Sequence, residues 1–259
     1  MKPLNLFLLT LLCFITVDLS AQKPKKIKDD LLQSFREIDC WNAQKSTDSI
    51  GEVYDSLARA NDNFYKKLKF YGERYPFTIE ERFPVEGLSC TSSDGLFKIY
   101  SWDTDLGGLQ HTFKNVIQYK WGERTNIVLD TTRNGNNYVC KYDRLYTLIV
   151  GNKTYYLATY FGIFSLNARG EGMRIFTIEN GRLNDKVKLI KTKSGLTNKL
   201  YYSYDQHLTN SDNMSEITLE YDPKAKTITF PLIAENMWAT ETYITYKFNG
   251  QYFEKVKGE

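Results

Sequence analysis

Ser92-Ser93-Asp94-Gly95-Leu96-Phe97-Lys98-Ile99-Tyr100-Ser101-Trp102-Asp103-Thr104-Asp105-Leu106-Gly107-Gly108-Leu109-Gln110-His111 is the stretch on which the fold turns. Asp94-Gly95 is a turn pair, because glycine takes the positive φ angles that hairpin turns need. The strand after it alternates, with Phe97, Ile99 and Ser101 on one face and Lys98, Tyr100 and Trp102 on the other. Two acids, a glycine pair and His111, one of two histidines in the chain, follow at once. A period of two therefore predicts a sheet, and the turn cluster behind it is the first candidate site.

Working outward, the same rhythm begins near residue 77 and runs to the end of the sequence. After a lead-in at 78–83, strands are expected at 112–120, 126–131, 138–142, 145–150 and 154–164. Residues 173–179 and 183–191 form a hairpin about Asn180-Gly181, a strong local turn signal. Further strands fall at 200–204, 216–221, 227–233, 243–248 and 252–256, with Asp222-Pro223 and Asn249-Gly250 as turns. No helix-length pattern separates consecutive strands, which argues against a parallel sheet. The fold class is mainly β with an α+β element. Its body is an antiparallel β-meander, either a sandwich, a barrel-like body or a few propeller-like blades; no fixed-period repeat favours the last.

Upstream the period changes. Ile27, Leu31, Phe35, Ile38 and Trp41 fall on one helical face, with Cys40 on roughly the opposite side. A second helix opens with Ser49 and Glu52, spaced as a capping box. It buries Ile50, Val53, Tyr54, Leu57, Phe64, Leu68 and Tyr71, and it should stop near Gly72 because Pro76 disfavours helix before it. Residues 22–76 thus read as an antiparallel helical pair before a β domain at 77–259.

Residues 1–21 read as a secretory signal: Lys2, an apolar run from Leu4 to Val17, and small residues before Gln22. Cleavage near Ala21-Gln22 predicts a secreted or periplasmic protein. No later stretch reaches the ~18 apolar residues of a membrane span. Lys2 and Asp18 leave together, so the mature chain keeps the net charge of +3, too weak a field to argue for nucleic acid. Cys40, Cys90 and Cys140 remain, which allows at most one intrachain disulfide; Cys90 with Cys140 is favoured because both lie in the β body.

Several segments resemble a group of uncharacterised, β-rich secreted proteins of Bacteroidetes-type bacteria. They include Ser93-Asp94-Gly95, the run from Phe97 to Thr104, Gly107-Gly108, His111 and Gln118-Tyr119. Tyr155 to Tyr160, Ile178-Glu179-Asn180-Gly181, Lys191 to Thr197 and Phe248-Asn249-Gly250 with Tyr252-Phe253 continue it. The leader ending at Ala21-Gln22 resembles that group's exported proteins, and Asp48-Ser49-Ile50 and Asp55-Ser56-Leu57 are similar to its short O-glycan acceptor pattern. The resemblance implies export and carries over no catalytic residue.

The familiar chemistries fail on their spacings. Asp103-Thr104-Asp105-Leu106-Gly107-Gly108 opens like a calcium loop, but Lys114 stands where an EF-hand needs glutamate; only a looser site on Asp103 and Asp105 survives. Gly87-Leu88-Ser89-Cys90-Thr91 lacks the last glycine of a nucleophile elbow. Arg169-Gly170-Glu171-Gly172 opens no helix, so it is not a dinucleotide fingerprint. No zinc spacing exists, and Glu80-Glu81 point to opposite faces of a strand. No catalytic residue, metal site or cofactor is therefore assigned.

Aromatic content remains: 19 Tyr, 15 Phe and 4 Trp. Such rings fill cores, and on a sheet rim they stack on sugars or anchor a protein. Trp102, Asp103, Asp105, His111 and Trp121 are the candidate ligand-binding residues, with Trp238 near another strand end. The reading is an exported, non-catalytic binding or interaction module of the cell envelope, its partner a glycan or an envelope protein. A Ser-His-Asp triad can be assembled from distant residues around His111 or His207. The alternatives are a periplasmic hydrolase with a cryptic site near His111, Asp103 and a serine such as Ser101, and a purely structural envelope protein.

Overall fold

The structure, a computed structural model, describes residues 24–45, 50–75, 85–130, 140–205 and 219–256. The leader, Ser49, the 78–83 lead-in and His207 lie outside these residues. The chain forms two compact units, 1–85 and 86–259. The protein is mainly β with antiparallel sheets, and a helical pair precedes them. Among the described residues no helix is long and apolar enough to cross a membrane.

The first unit is a helical hairpin. Helix α1 spans residues 24–42 and begins at Pro24, where the missing amide costs nothing because a first-turn N–H has no helical partner. Its buried stripe is Ile27, Leu31, Ser34 and Ile38. Helix α2 (Ile50–Arg74) buries Val53, Leu57, Ala60, Phe64 and Leu68. It runs two residues past Gly72, because a single glycine weakens a helix without ending one. The pairing is antiparallel: Phe35 meets Phe64 edge-on at 5.3 Å, Asn63 bonds Glu37, and Asp30 takes Lys67 at 2.7 Å and the Tyr71 hydroxyl at 2.6 Å. Partial burial pushes the Asp30 carboxyl up, but these two partners outweigh it and hold the carboxyl below its usual range.

Among the described residues the second unit stacks three sheets. The first is a meander of β1 (Ser89–Thr91), β2 (Phe97–Asp103), β3 (Phe113–Trp121) and β4 (Arg124–Leu129). The middle sheet orders β11 (Lys199–Asp205), β7 (Ala168–Glu179), β6 (Lys153–Ile163) and β5 (Lys141–Val150), with β8 (Arg182–Asn184) paired to the end of β7. The third orders β10 (Gly195–Thr197), β9 (Ile190–Thr192), β15 (Phe253–Lys255), β14 (Ala239–Phe248), β13 (Thr227–Ile233) and β12 (Glu220–Asp222). Among the described residues each sheet is an open path with two edges, and the sheets pack face to face through shared cores.

Side-chain parity shows the layering. On β6, Tyr156, Ala158 and Tyr160 pack with Phe97, Ile99 and Ile117 of the first sheet. Their neighbours Tyr155 and Leu157 pack with Ile190, Ile228 and Phe253 of the third. A sheet covered on both faces needs apolar residues at every position, and residues 155–160 are all buried.

Three expectations change. First, β9 and β15 pair in parallel, since the 60-odd residues between Thr192 and Phe253 are ample for a crossover that a hairpin cannot make. Second, the run expected at 183–191 divides between β8 and β9, which belong to different sheets. Third, no disulfide forms among the described residues: Cys40 is exposed, and Cys90 and Cys140 are free thiols buried between the first two sheets. Burial pushes both buried thiols up to about 12, so they pack as small apolar side chains.

A buried ion pair sits inside this layer. Arg174 on β7 is 3% exposed, and its Nη1 donates to Asp130 Oδ2 at 2.7 Å and to the Tyr142 hydroxyl at 2.6 Å. Tyr142 in turn donates to Asp130 at 3.0 Å, and Asp185 lies 3.4 Å from Nη2. The nearby negative groups outweigh burial and hold the guanidinium firmly protonated.

Candidate functional site

Where β3 ends, Trp121 stands at the rim of the first two layers. The Asn180-Gly181 turn between β7 and β8 has φ of +51° and +74°, the left-handed pair of a type I′ hairpin. Its glycine has a second use. A Cβ there would lie 3.0 Å from Trp121 Cδ1, so the indole rests directly against the bare backbone. Tyr119, two residues earlier on the same face, donates its hydroxyl to Gly181 O at 3.4 Å. Trp121 is thereby fixed on one side while 49% exposed.

The indole opens onto a groove of about 500 Å3. Leu96 and Tyr156 supply apolar wall, and Lys120, Asn152, Lys153 and Glu179 supply polar rim. Lys153 and Glu179 meet at 3.3 Å, and Asn184 donates to the other Glu179 oxygen at 3.0 Å. These two hydrogen bonds hold the Glu179 carboxyl below its usual range, so it is an acceptor at neutral pH. On the inner wall Tyr156 donates to Asp94 Oδ2 at 3.1 Å, and Asp94 Oδ1 accepts from Ser92 and from the Leu96 amide. Burial, then Asp94, raises the Tyr156 phenol well above its ordinary value, so it stays a donor. The Asp94-Gly95 turn is thus tied to the middle sheet and holds Leu96 at the groove.

The five expected ligand-binding residues do not converge. Trp102 is 2% exposed and is a core ring, because the face of β2 that carries it is buried as fully as the opposite one. Asp103 and His111 do meet: Nδ1 of the imidazole contacts Asp103 Oδ2 across the turn, and the ring stacks on Phe113. Asp105, at φ +56°, donates its amide to Asp103 Oδ1 at 2.9 Å, so both Asp103 oxygens are engaged within the turn. Ser101 is fully buried, donating to Asn115 and accepting from the Tyr142 amide, and it is not bonded to His111. Trp121 lies at the far end of β3 from this turn, about 26 Å along the strand. Trp238 belongs to the β13–β14 connection of the third sheet. Among the described residues no group of three or more His, Cys, Asp or Glu side chains is placed to hold a metal ion.

Lys120, Lys153 and Glu179 were not singled out by the sequence reading. The signal was present in two halves, a tryptophan at a strand end and an Asn-Gly hairpin sixty residues later, with nothing local to join them. In comparisons with known proteins, no family model, no curated sequence and no solved structure matches this chain.

Proposed function

We propose that this protein is an exported, non-catalytic glycan-binding module of the cell envelope, which seats a sugar ring on Trp121. The carrying observation is the indole itself, half-exposed and immobilised against Gly181 with hydrogen-bonding groups around it. A pyranose presents an apolar C–H face and a ring of hydroxyls. A flat aromatic platform takes the first, and a rim of ammonium, amide and carboxylate takes the second. Because the platform is already ordered, little rotamer entropy is lost on binding. The signal-like leader at 1–21 supports the exported part of the reading.

Glycan-array screening followed by titration calorimetry tests this reading. Trp121→Ala is expected to weaken the best glycan about 30-fold, the ~2 kcal/mol typical of a central tryptophan anchor. The melting temperature should hardly move, since the ring is half in solvent already. Undiminished binding by that variant would remove the groove from the function.

Hydrolysis is the second reading, and the Asp103–His111 pair is the observation that favours it. Esterase and glycosidase screening of the parent and of His111→Ala separates the two. On the binding reading, His111→Ala keeps glycan affinity within about twofold, because the pair lies at the opposite end of β3 from the platform.

A further inference from the structure

The far end of β6 holds a second concavity, of about 180 Å3, and its walls are charged. The middle-sheet face that meets the third sheet is apolar through Leu157, Met173 and Ile175. Further along the same face come Thr159, Arg169 and Glu171, with Arg144 paired opposite Thr159. Here β5 contains a bulge between Tyr142 and Arg144, and the extra residue, Asp143, lines the pocket. Bulges re-aim side chains in this way, and they concentrate beside functional sites.

The charges can be sorted by what they already hold. Glu171 is saturated: its Oε2 accepts from Tyr202 at 2.8 Å and the Leu219 amide at 2.8 Å, and its Oε1 from Tyr204 at 3.0 Å. It is structural, tying β11 and the start of β12 to β7. Arg144 uses Nη2 on Leu219 O at 3.2 Å and sets Nε 3.4 Å from Asp143 Oδ2. Arg169 uses Nη1 on the carbonyls of Ser165 and Ala168. Each guanidinium carries five N–H donors, so both forks keep donors for a ligand. Asp143 Oδ1 is fixed by Thr159 at 2.6 Å and by the Arg144 amide, while Oδ2 makes only the long Arg144 contact among the described residues.

Two guanidiniums stand beside two carboxylates, of which Glu171 is fully engaged, so what remains for a ligand is the unused donors of both forks next to one carboxylate oxygen with acceptor capacity. We propose that this pocket binds a small hydroxy acid, its carboxylate held by Arg144 and Arg169 and its hydroxyl donating to Asp143 Oδ2. Planar guanidinium forks suit a carboxylate, and the hydroxyl distinguishes such a ligand from a simple fatty acid. The pocket is independent of Trp121, since the two sites lie at opposite ends of β6.

The test is an NMR titration of the arginine Nε–H signals in the full chain, with L-lactate, acetate and inorganic phosphate as probes. L-lactate is expected to shift the Arg144 and Arg169 signals saturably with Kd on the order of 1 mM. Acetate should bind roughly tenfold more weakly, and Arg169→Gln should weaken lactate by roughly tenfold or more. Asp143→Ala should abolish the difference between lactate and acetate, and Trp121→Ala should change nothing. Should Arg169→Gln fail to fold, Arg144→Gln carries the same expectation. The proposal is overturned by no saturable shift up to about 50 mM lactate, by undiminished lactate binding in a folded arginine variant, or by phosphate binding more tightly than lactate.

Discussion

Replacing Arg174 with methionine is expected to destabilise the protein by ~3–5 kcal/mol, the cost of breaking a buried pair from one side. The guanidinium is 3% exposed and faces Asp130, itself 7% exposed, between the first and middle sheets. Methionine fills the volume but leaves a carboxylate without the cation that it and Tyr142 are arranged around. Urea unfolding measures the loss, which should appear as a melting temperature lower by roughly 10 °C. The double variant Arg174→Met with Asp130→Asn should recover more than half of it, because a neutral amide still accepts from Tyr142. A loss under ~1 kcal/mol for the single variant would mean that the Asp130 charge is compensated by other groups.

Gly172→Ala is expected to be comparably damaging for a different reason. A Cβ at this position would lie 2.4 Å from Leu200 O and 2.5 Å from the Tyr160 ring and hydroxyl. Neither neighbour can retreat cheaply. Leu200 is held in the β7–β11 ladder, and the Tyr160 hydroxyl is bonded to that same carbonyl at 3.3 Å. The two middle-sheet strands would have to part, at the upper end of the ~1–3 kcal/mol range for overpacking or beyond it. Gly108→Ala is the internal control: nothing lies within 4 Å of its Cβ, so its effect should stay within about 0.5 kcal/mol. Chemical denaturation of both variants decides the matter, and equal losses would sink the steric account.

Much of the secondary structure was legible because a solvent-facing strand betrays itself by alternation. Residues 227–233 form β13 over the same span, and the Asn180-Gly181 hairpin has the left-handed angles its composition demands. The helical pair was equally open to reading, since Leu31, Ile38, Leu57 and Phe64 recur at helical spacing and are buried. The layering was not. A strand covered on both faces, such as β6, shows no polar side, so Tyr155 and Tyr156 look alike although they enter different cores. The gap expected between strands 138–142 and 145–150 is the Asp143 bulge inside the single strand β5. Nor does a tryptophan announce its surroundings. Trp102 and Trp121 both stand at strand ends, yet one is core and the other is platform, because the distinction rests on which distant segment packs over each. The charged wall of Arg169 and Glu171 was missed for a related reason. The inward-facing parity of β7 extends four residues before Met173, and charge at inward positions reads locally as loop.

The position of β15 has a consequence for the timing of assembly. It lies between β14 and β9, yet it follows both in the chain, and its parallel contact joins Phe253 to Ile190 across more than sixty residues. A chain emerging amino end first can therefore zip β1–β4 and β5–β7 from neighbouring hairpins while the third sheet waits with a slot in its centre. Closing that slot spends loop entropy before any contact repays it, which makes it the natural slow step of folding. Until Phe253 seats beneath Tyr221 and Phe248, the facing edges of β9 and β14 remain templates for the wrong strand.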